Sequence, residues 1–194
     1  PPTWLRRQRQ MCIRDRTLTM TGSGTAASAN VANGIAMSSN GNLALADGTG
    51  AASNYSLNST VINITQRPIS VSGTRLYDAT TNAVASDLST HANLVGSETL
   101  TLSGTGTIAS KDVGSNKTVS VGTLALGNGS NGGLAGNYTL SGGTHQLTVN
   151  QRPLNATLAR QYDGTTAAAG STLSAFDALQ GGETLTLSGS GTAA

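Results

Sequence analysis

Apolar and hydroxyl-bearing side chains alternate along short runs of this chain. Leu100 and Leu102 fall on one side of an extended backbone, and Thr99, Thr101 and Ser103 on the other. Val119 and Val121 alternate with Thr118 and Ser120, and Leu147 and Val149 with Gln146, Thr148 and Asn150. Leu154, Ala156 and Leu158 alternate with Asn155 and Thr157, Leu124 and Leu126 flank Ala125, and Tyr138 and Leu140 bracket Thr139. A period of two puts successive side chains on opposite faces, so each run predicts a strand with one apolar and one wet face, the pattern of antiparallel sheets. The runs end at Gly104-Thr105-Gly106, Gly114-Ser115-Asn116, Gly127-Asn128-Gly129 and Ser141-Gly142-Gly143. Gly and Asn there tolerate the positive φ that tight turns need. Helical signals are weak. Thr80–Leu88 and Thr165–Leu179 hold alanine runs, with Leu173, Phe176 and Leu179 at helical spacing, enough for one short helix or turn.

The same landmarks return in order. Thr17-Leu18-Thr19-Met20 returns as Thr99-Leu100-Thr101-Leu102 and again as Thr184-Leu185-Thr186-Leu187. Asn54-Tyr55-Ser56-Leu57 returns as Asn137-Tyr138-Thr139-Leu140, Gln66-Arg67-Pro68 as Gln151-Arg152-Pro153, and Gly96-Ser97-Glu98 as Gly181-Gly182-Glu183. Tyr77-Asp78-Ala79-Thr80-Thr81 returns as Tyr162-Asp163-Gly164-Thr165-Thr166. The offsets are 82 to 85 residues. Such a period predicts one supersecondary unit repeated along the chain. Residues 17–67 read as the back part of a first unit, 68–152 as a complete unit and 153–194 as the front part of a third. The expected fold is therefore all-β: tandem small antiparallel modules, sandwich-like or β-grasp-like, one complete and two truncated. The alternative is a parallel β-helix, whose coils would demand repetition every ~20–30 residues. The prolines of the Gln-Arg-Pro segments, Pro68 and Pro153, lack an amide donor and mark a strand crossing at an edge or bulge between units.

Residues 1–16 break the pattern. They hold Trp4, Cys12 and five of the eleven basic residues, and Arg6–Arg16 resembles the translation of a sequencing-library adapter. The segment is set aside as non-native. Without it the formal charge of +2 becomes −2 and the chain has no cysteine. No basic patch then remains to bind nucleic acid, and no thiol chemistry or disulfide framework is expected. No apolar run reaches the ~18 residues of a membrane-spanning helix, so no direct membrane insertion is expected. Charged residues are 10% and aromatics 3% of the chain, which predicts thin cores under neutral, hydroxyl-covered surfaces.

Two boxes, Tyr77-Asp78-Ala79-Thr80-Thr81 and Tyr162-Asp163-Gly164-Thr165-Thr166, resemble the YDG domain family, as do Ala109–Val119 and Gly136-Asn137-Tyr138-Thr139-Leu140. Ala79 departs from the family pattern where Gly164 keeps it, which touches only the tightness of one turn. The resemblance covers about residues 17–194. It implies an extracellular, all-β stalk element of large bacterial surface proteins similar to filamentous haemagglutinins, secreted by a two-partner or autotransporter route and associated with the outer membrane. It implies no catalytic residue. It also implies glycosylation at some of the Asn-x-Ser/Thr sites Asn54, Asn58, Asn63, Asn116, Asn128, Asn137 and Asn155.

Candidate chemistry reads as structural. Asp78 and Asp163 are expected to cap turns through their own backbone beside tyrosines that fill a core, because no cluster of oxygen ligands accompanies them for calcium. His91 and His145 have no metal-ligand spacing and read as surface residues. No nucleophile elbow is served by a histidine. Neither a catalytic group, a cofactor nor a metal is expected, and the chain is not expected to be an enzyme. Tyr77, Asp78, Tyr162, Asp163, Asn54, Tyr55, Asn137, Tyr138, Pro68 and Pro153 are the structural landmarks. The expected function is a spacer in an adhesin stalk whose partners are adjacent repeats of the same chain. The alternative is direct binding of a host glycan or matrix protein by the modules.

Overall fold

The computed structural model describes residues 17–169 and 173–192. The segment 1–16, set aside above as non-native, lies outside the described residues. The chain divides into two compact units, Pro1–Gln66 and Arg67–Ala194. It is all-β, built of several small antiparallel sheets and one curled half-barrel sheet, and no parallel β-helix is present among the described residues.

In the first unit, β1 (Leu18–Thr21) pairs antiparallel with β4 (Ala44–Asp47). The strands β2 (Thr25–Ala26), β3 (Ala32–Ser39) and β5 (Val61–Ile64) form a three-stranded sheet with β3 in the middle.

The second unit opens with β6 (Arg67–Pro68), β7 (Ser70–Leu76), β8 (Asn82–Val84) and β9 (Thr90–Ala92). It continues with β10 (Leu100–Ser103), β11 (Thr105–Ile108), β12 (Gly114–Ser120), β13 (Ala125–Asn128), β14 (Tyr138–Thr139) and β15 (Gln146–Asn150). The six-stranded sheet runs β8-β11-β12-β15-β7-β9, while β10 pairs with β13 and β14 with β6 in two small sheets. Beyond these lie β16 (Ala156–Leu158) paired with β18 (Leu173–Phe176), and β17 (Ala167–Ala169) paired with β19 (Ser190–Thr192).

Among the described residues the core is continuous and falls in one stretch: Ile69, Val71, Ala83, Leu88, Leu100, Ile108, Val119, Leu124, Tyr138, Leu140, Leu147 and Val149. The alternating runs explain it. Leu100, Val119, Leu147 and Val149 bury the apolar side of their strands, and Thr101, Thr118 and Ser120 stay exposed on the other. Each fully buried aliphatic side chain contributes about 1.5–3 kcal/mol relative to exposure. In β16 the alternation buries nothing, and all three residues are exposed.

One feature departs from the sequence reading. β7 and β15, the first and last long strands of the stretch, lie side by side in parallel, with Ser72 opposite Gln146 and Leu76 opposite Asn150. Alternation reports which face is buried and carries no strand direction. Among the described residues the alanine runs hold no more than the one short turn that their weak helical signal allowed. Residues 80–88 contain β8 and a single 3-10 turn at Ala85–Asp87, and within 165–179 the described residues form β17 and β18. Strand partners override the weak helical propensity there.

Candidate functional site

The two boxes each begin two residues before the tyrosine. Asp78 Oδ1 accepts hydrogen bonds from the Thr80 N–H and O–H at 2.9 Å each, an Asx turn. Asp163 Oδ1 accepts from the Thr165 N–H and O–H at 2.9 Å each. Gly164 takes φ 73 in its turn, and Ala79 adopts the same left-handed conformation at φ 63, so the departure from glycine leaves the turn geometry intact. An arginine braces each box. Arg75 pairs with Asp78 and donates through a second nitrogen to the Thr80 carbonyl at 2.7 Å. Arg160 pairs with Asp163 and donates to the Thr165 carbonyl. The Arg160 guanidinium and the Thr165 donors hold the Asp163 carboxyl at about 2, well below the usual carboxylate range. Arg75 and Arg160 were absent from the landmarks read in the sequence. Their signal was recurrence at the same spacing before each tyrosine, in a chain where charge is scarce.

The tyrosines divide. Tyr138 is 3% exposed and Tyr77 packs partly buried against the core, whereas Tyr55 is 52% and Tyr162 97% exposed. Of the two tyrosines expected to fill a core beside Asp78 and Asp163, Tyr77 packs against one and Tyr162 does not. Nothing buries Tyr162 among the described residues, although its hydroxyl lies 4.0 Å from where a Cβ on Gly164 would stand. The residues before Asn54 and Asn137 are held alike. Ala52–Asn54 and Ala135–Asn137 are 3-10 turns, the first anchored by Ala52 N–H on Asp47 Oδ1 at 2.6 Å and the second by Ala135 N–H on Asn128 Oδ1 at 2.9 Å.

Tyr138 occupies a defined seat. Its strand pairs in parallel with β6, Tyr138 opposite Arg67 and Thr139 opposite Pro68, and the Ile69 N–H donates to the Thr139 carbonyl at 3.0 Å. The phenol O–H donates to Glu98, and the Val95 N–H donates to the phenol oxygen at 3.1 Å. Burial, with the carboxylate of Glu98 beside it, pushes the Tyr138 hydroxyl pKa up. Arg67 closes one side, with Nε on the Asn93 carbonyl at 2.8 Å and a terminal nitrogen on Asn93 Oδ1 at 2.7 Å, while Asn93 Nδ2 donates to the Pro68 carbonyl at 2.6 Å.

Tyr77 reaches Glu183. Its O–H donates to Glu183 Oε1, and Lys111 Nζ donates to the same oxygen at 2.6 Å while lying 5.7 Å from the centre of the Tyr77 ring. These donors hold the Glu183 carboxyl below its ordinary value, and the carboxylate raises the Lys111 ammonium. Arg152 donates to the Tyr77 carbonyl at 3.4 Å. Beside these residues opens a cavity of about 490 Å³ whose lining includes Tyr77, Arg152, Pro153, Leu154, Gln180 and Leu185. Pro153 is thus a wall residue, and Pro68 a strand residue in β6.

The histidines are not surface residues. His145 is buried, its Nδ1 accepting from the Val71 N–H at 3.3 Å and its Nε2 donating to the Leu140 carbonyl at 2.9 Å. That pairing fixes the neutral tautomer with its proton on Nε2. His91 is partly buried on β9, and burial lowers its pKa. Among the described residues, no group of three or more His, Cys, Asp or Glu stands together to hold a metal ion.

No curated protein and no solved structure matches the chain. The family model of the YDG domain matches residues 63–148, a span that takes in all of the buried core except Val149, with the Arg75-braced box and the seat of Tyr138. The chain therefore carries a YDG domain at residues 63–148.

Proposed function

We propose that the YDG domain and its neighbours are spacer units of a bacterial surface adhesin's stalk, exported to the cell surface, where they project a binding region and catalyse nothing. The observation that carries this reading is the contact set at the end of the domain. Tyr77 and Lys111 both bond Glu183, and Arg152 of the Gln-Arg-Pro segment bonds the Tyr77 carbonyl. Tyr77, Glu183 and Arg152, each with a counterpart 85 residues away, thus fasten one stretch to the next, which suits a row of units joined stiffly, each touching its neighbours. A loose Gly/Ser linker would leave that joint flexible. Direct recognition of a host glycan is the second reading. Tyr162 offers an exposed ring for stacking, but Tyr77 and Tyr138 are turned into the domain.

Chains carrying one, two and three tandem copies of residues 68–152 test the spacer reading by small-angle scattering. The maximum dimension is expected to grow by one fixed increment per copy. Growth that follows the cube root of mass, as in a single globule, would overturn it.

A further inference from the structure

We propose that the cavity beside Glu183 is a socket for a tyrosine carried on a short strand, and that its occupant is Asn54-Tyr55-Ser56-Leu57 of a second copy of this chain. The inference does not rest on the stalk reading.

The seat of Tyr138 supplies the template. Its parts are Arg67, Pro68, Ile69, the Val95–Glu98 turn and Leu100, and the residues 85 positions later are Arg152, Pro153, Leu154, the Gln180–Glu183 turn and Leu185. Arg152, Pro153, Leu154, both ends of that turn and Leu185 line the cavity. The turn is already formed in both places. The Glu98 N–H donates to the Val95 carbonyl at 3.1 Å and the Glu183 N–H to the Gln180 carbonyl at 3.0 Å, with Gly96 at φ 55 and Gly181 at φ 60. What differs is cover. Leu100 is 6% exposed in the core that also holds Tyr138, and Leu185 is 53% exposed. Arg67 Nε has the Asn93 carbonyl, whereas Arg152 Nε is buried on the cavity wall with no hydrogen-bond partner. Glu183 spends Oε1 on Tyr77 and Lys111, which leaves its other oxygen facing the role that Glu98 Oε2 plays toward Tyr138.

The chain also holds the matching ligand. It has two Asn-Tyr-x-Leu segments. One is seated at Tyr138, and the other presents Tyr55 half exposed after a 3-10 turn of the same kind. Laid along Arg152–Pro153 as Tyr138–Thr139 lies along Arg67–Pro68, the segment adds a short parallel strand, sends its phenol to Glu183 and covers Leu185. Backbone pairing supplies orientation, and the tyrosine in its pocket supplies selectivity. The contact is head-to-tail, so copies add in an open series.

Sedimentation velocity of the whole chain from low to high micromolar concentration tests this. The mean sedimentation coefficient is expected to rise with concentration. Tyr55→Ala and Leu185→Glu, both at exposed positions, should each hold the chain monomeric with an unchanged circular dichroism melt, and a synthetic peptide of residues 50–59 should dissolve the assembly. Tyr55→Phe, which loses one hydrogen bond to a carboxylate, should weaken association about tenfold. Association that survives Tyr55→Ala overturns the proposal. So does a chain that stays monomeric throughout and does not bind the peptide, or a monomer in which Tyr55 is already shielded from solvent.

Discussion

Residues 75–80 and 160–165 make the same turn in two different surroundings. Both place an arginine on an aspartate and on the carbonyl two residues further on, and both close the Asx bond to threonine at the same length. Yet the Arg75 side chain is 5% exposed and that of Arg160 30%. Tyr77 is packed against a core and Tyr162 stands in solvent. The turn is therefore a local device. It forms from six residues whether or not anything covers it, because each of its hydrogen bonds spans five residues or fewer. Burial is a separate matter: β15 pairs beside β7, with Val149 opposite Arg75, and the 3-10 turn at Ala85–Asp87 packs against β7.

Exchanging the residues that differ between the two stretches should break this comparison most severely at Gly73. A Cβ there would collide with the Asp87 carbonyl oxygen, a backbone atom that cannot swing aside. The matching position 85 residues later is Leu158, partly exposed on β16. Gly73→Leu should cost more than about 3 kcal/mol and abolish the cooperative unfolding transition of the domain. Leu158→Gly should cost within about 1 kcal/mol. Urea denaturation followed by circular dichroism reads both, and a stable Gly73→Leu domain would dispose of the close approach.

The arginines come next. Arg75→Ala leaves Asp78 unpaired and the Thr80 carbonyl without its donor beneath covering strands, and should cost about 2–3 kcal/mol. Arg160→Ala removes the same bonds in a wetter place, and its cost should stay within about 0.5 kcal/mol. Equal losses in the same denaturation experiment would mean that cover does not decide what the brace is worth.

Much of this was legible before any coordinates. Leu100, Val119, Leu147 and Val149 announce their buried face through alternation, and the aspartates announce their turns by the threonine that follows two residues on. Other features depend on partners far along the chain. Nothing local to Ser70–Leu76 shows that it pairs in parallel with Gln146–Asn150, because burial pattern carries no direction. His145 reads as polar and hence superficial, and only the Val71 N–H and the Leu140 carbonyl, one of them 74 residues away, explain its depth. The recurrence of Glu98 as Glu183 was plain in the sequence. That each accepts from a tyrosine hydroxyl depends on Tyr138 in one case and Tyr77 in the other, which lie on opposite sides of their glutamates in the chain.

The smallest effect concerns a pair of matching positions on the edge strands. Val71 lies opposite His91 in β7 and β9, and Ala156 opposite Phe176 in β16 and β18. His91 and Phe176 are again 85 residues apart. Burial lowers the pKa of His91 from 6.5, so the folded chain resists a proton that the unfolded chain accepts as pH falls through that value. The unfolded state then binds more protons, and stability must rise with pH up to about 6.5 and level off above it. Because the ring is only partly buried, the stability lost between pH 7.5 and pH 5.5 through this group should be less than about 1 kcal/mol. His91→Phe installs the residue that the later stretch already uses and removes the titrating ring. The difference in urea midpoint between the two pH values should shrink in that variant. An unchanged difference would assign the pH dependence to other groups and leave His91 as an edge residue that phenylalanine can replace.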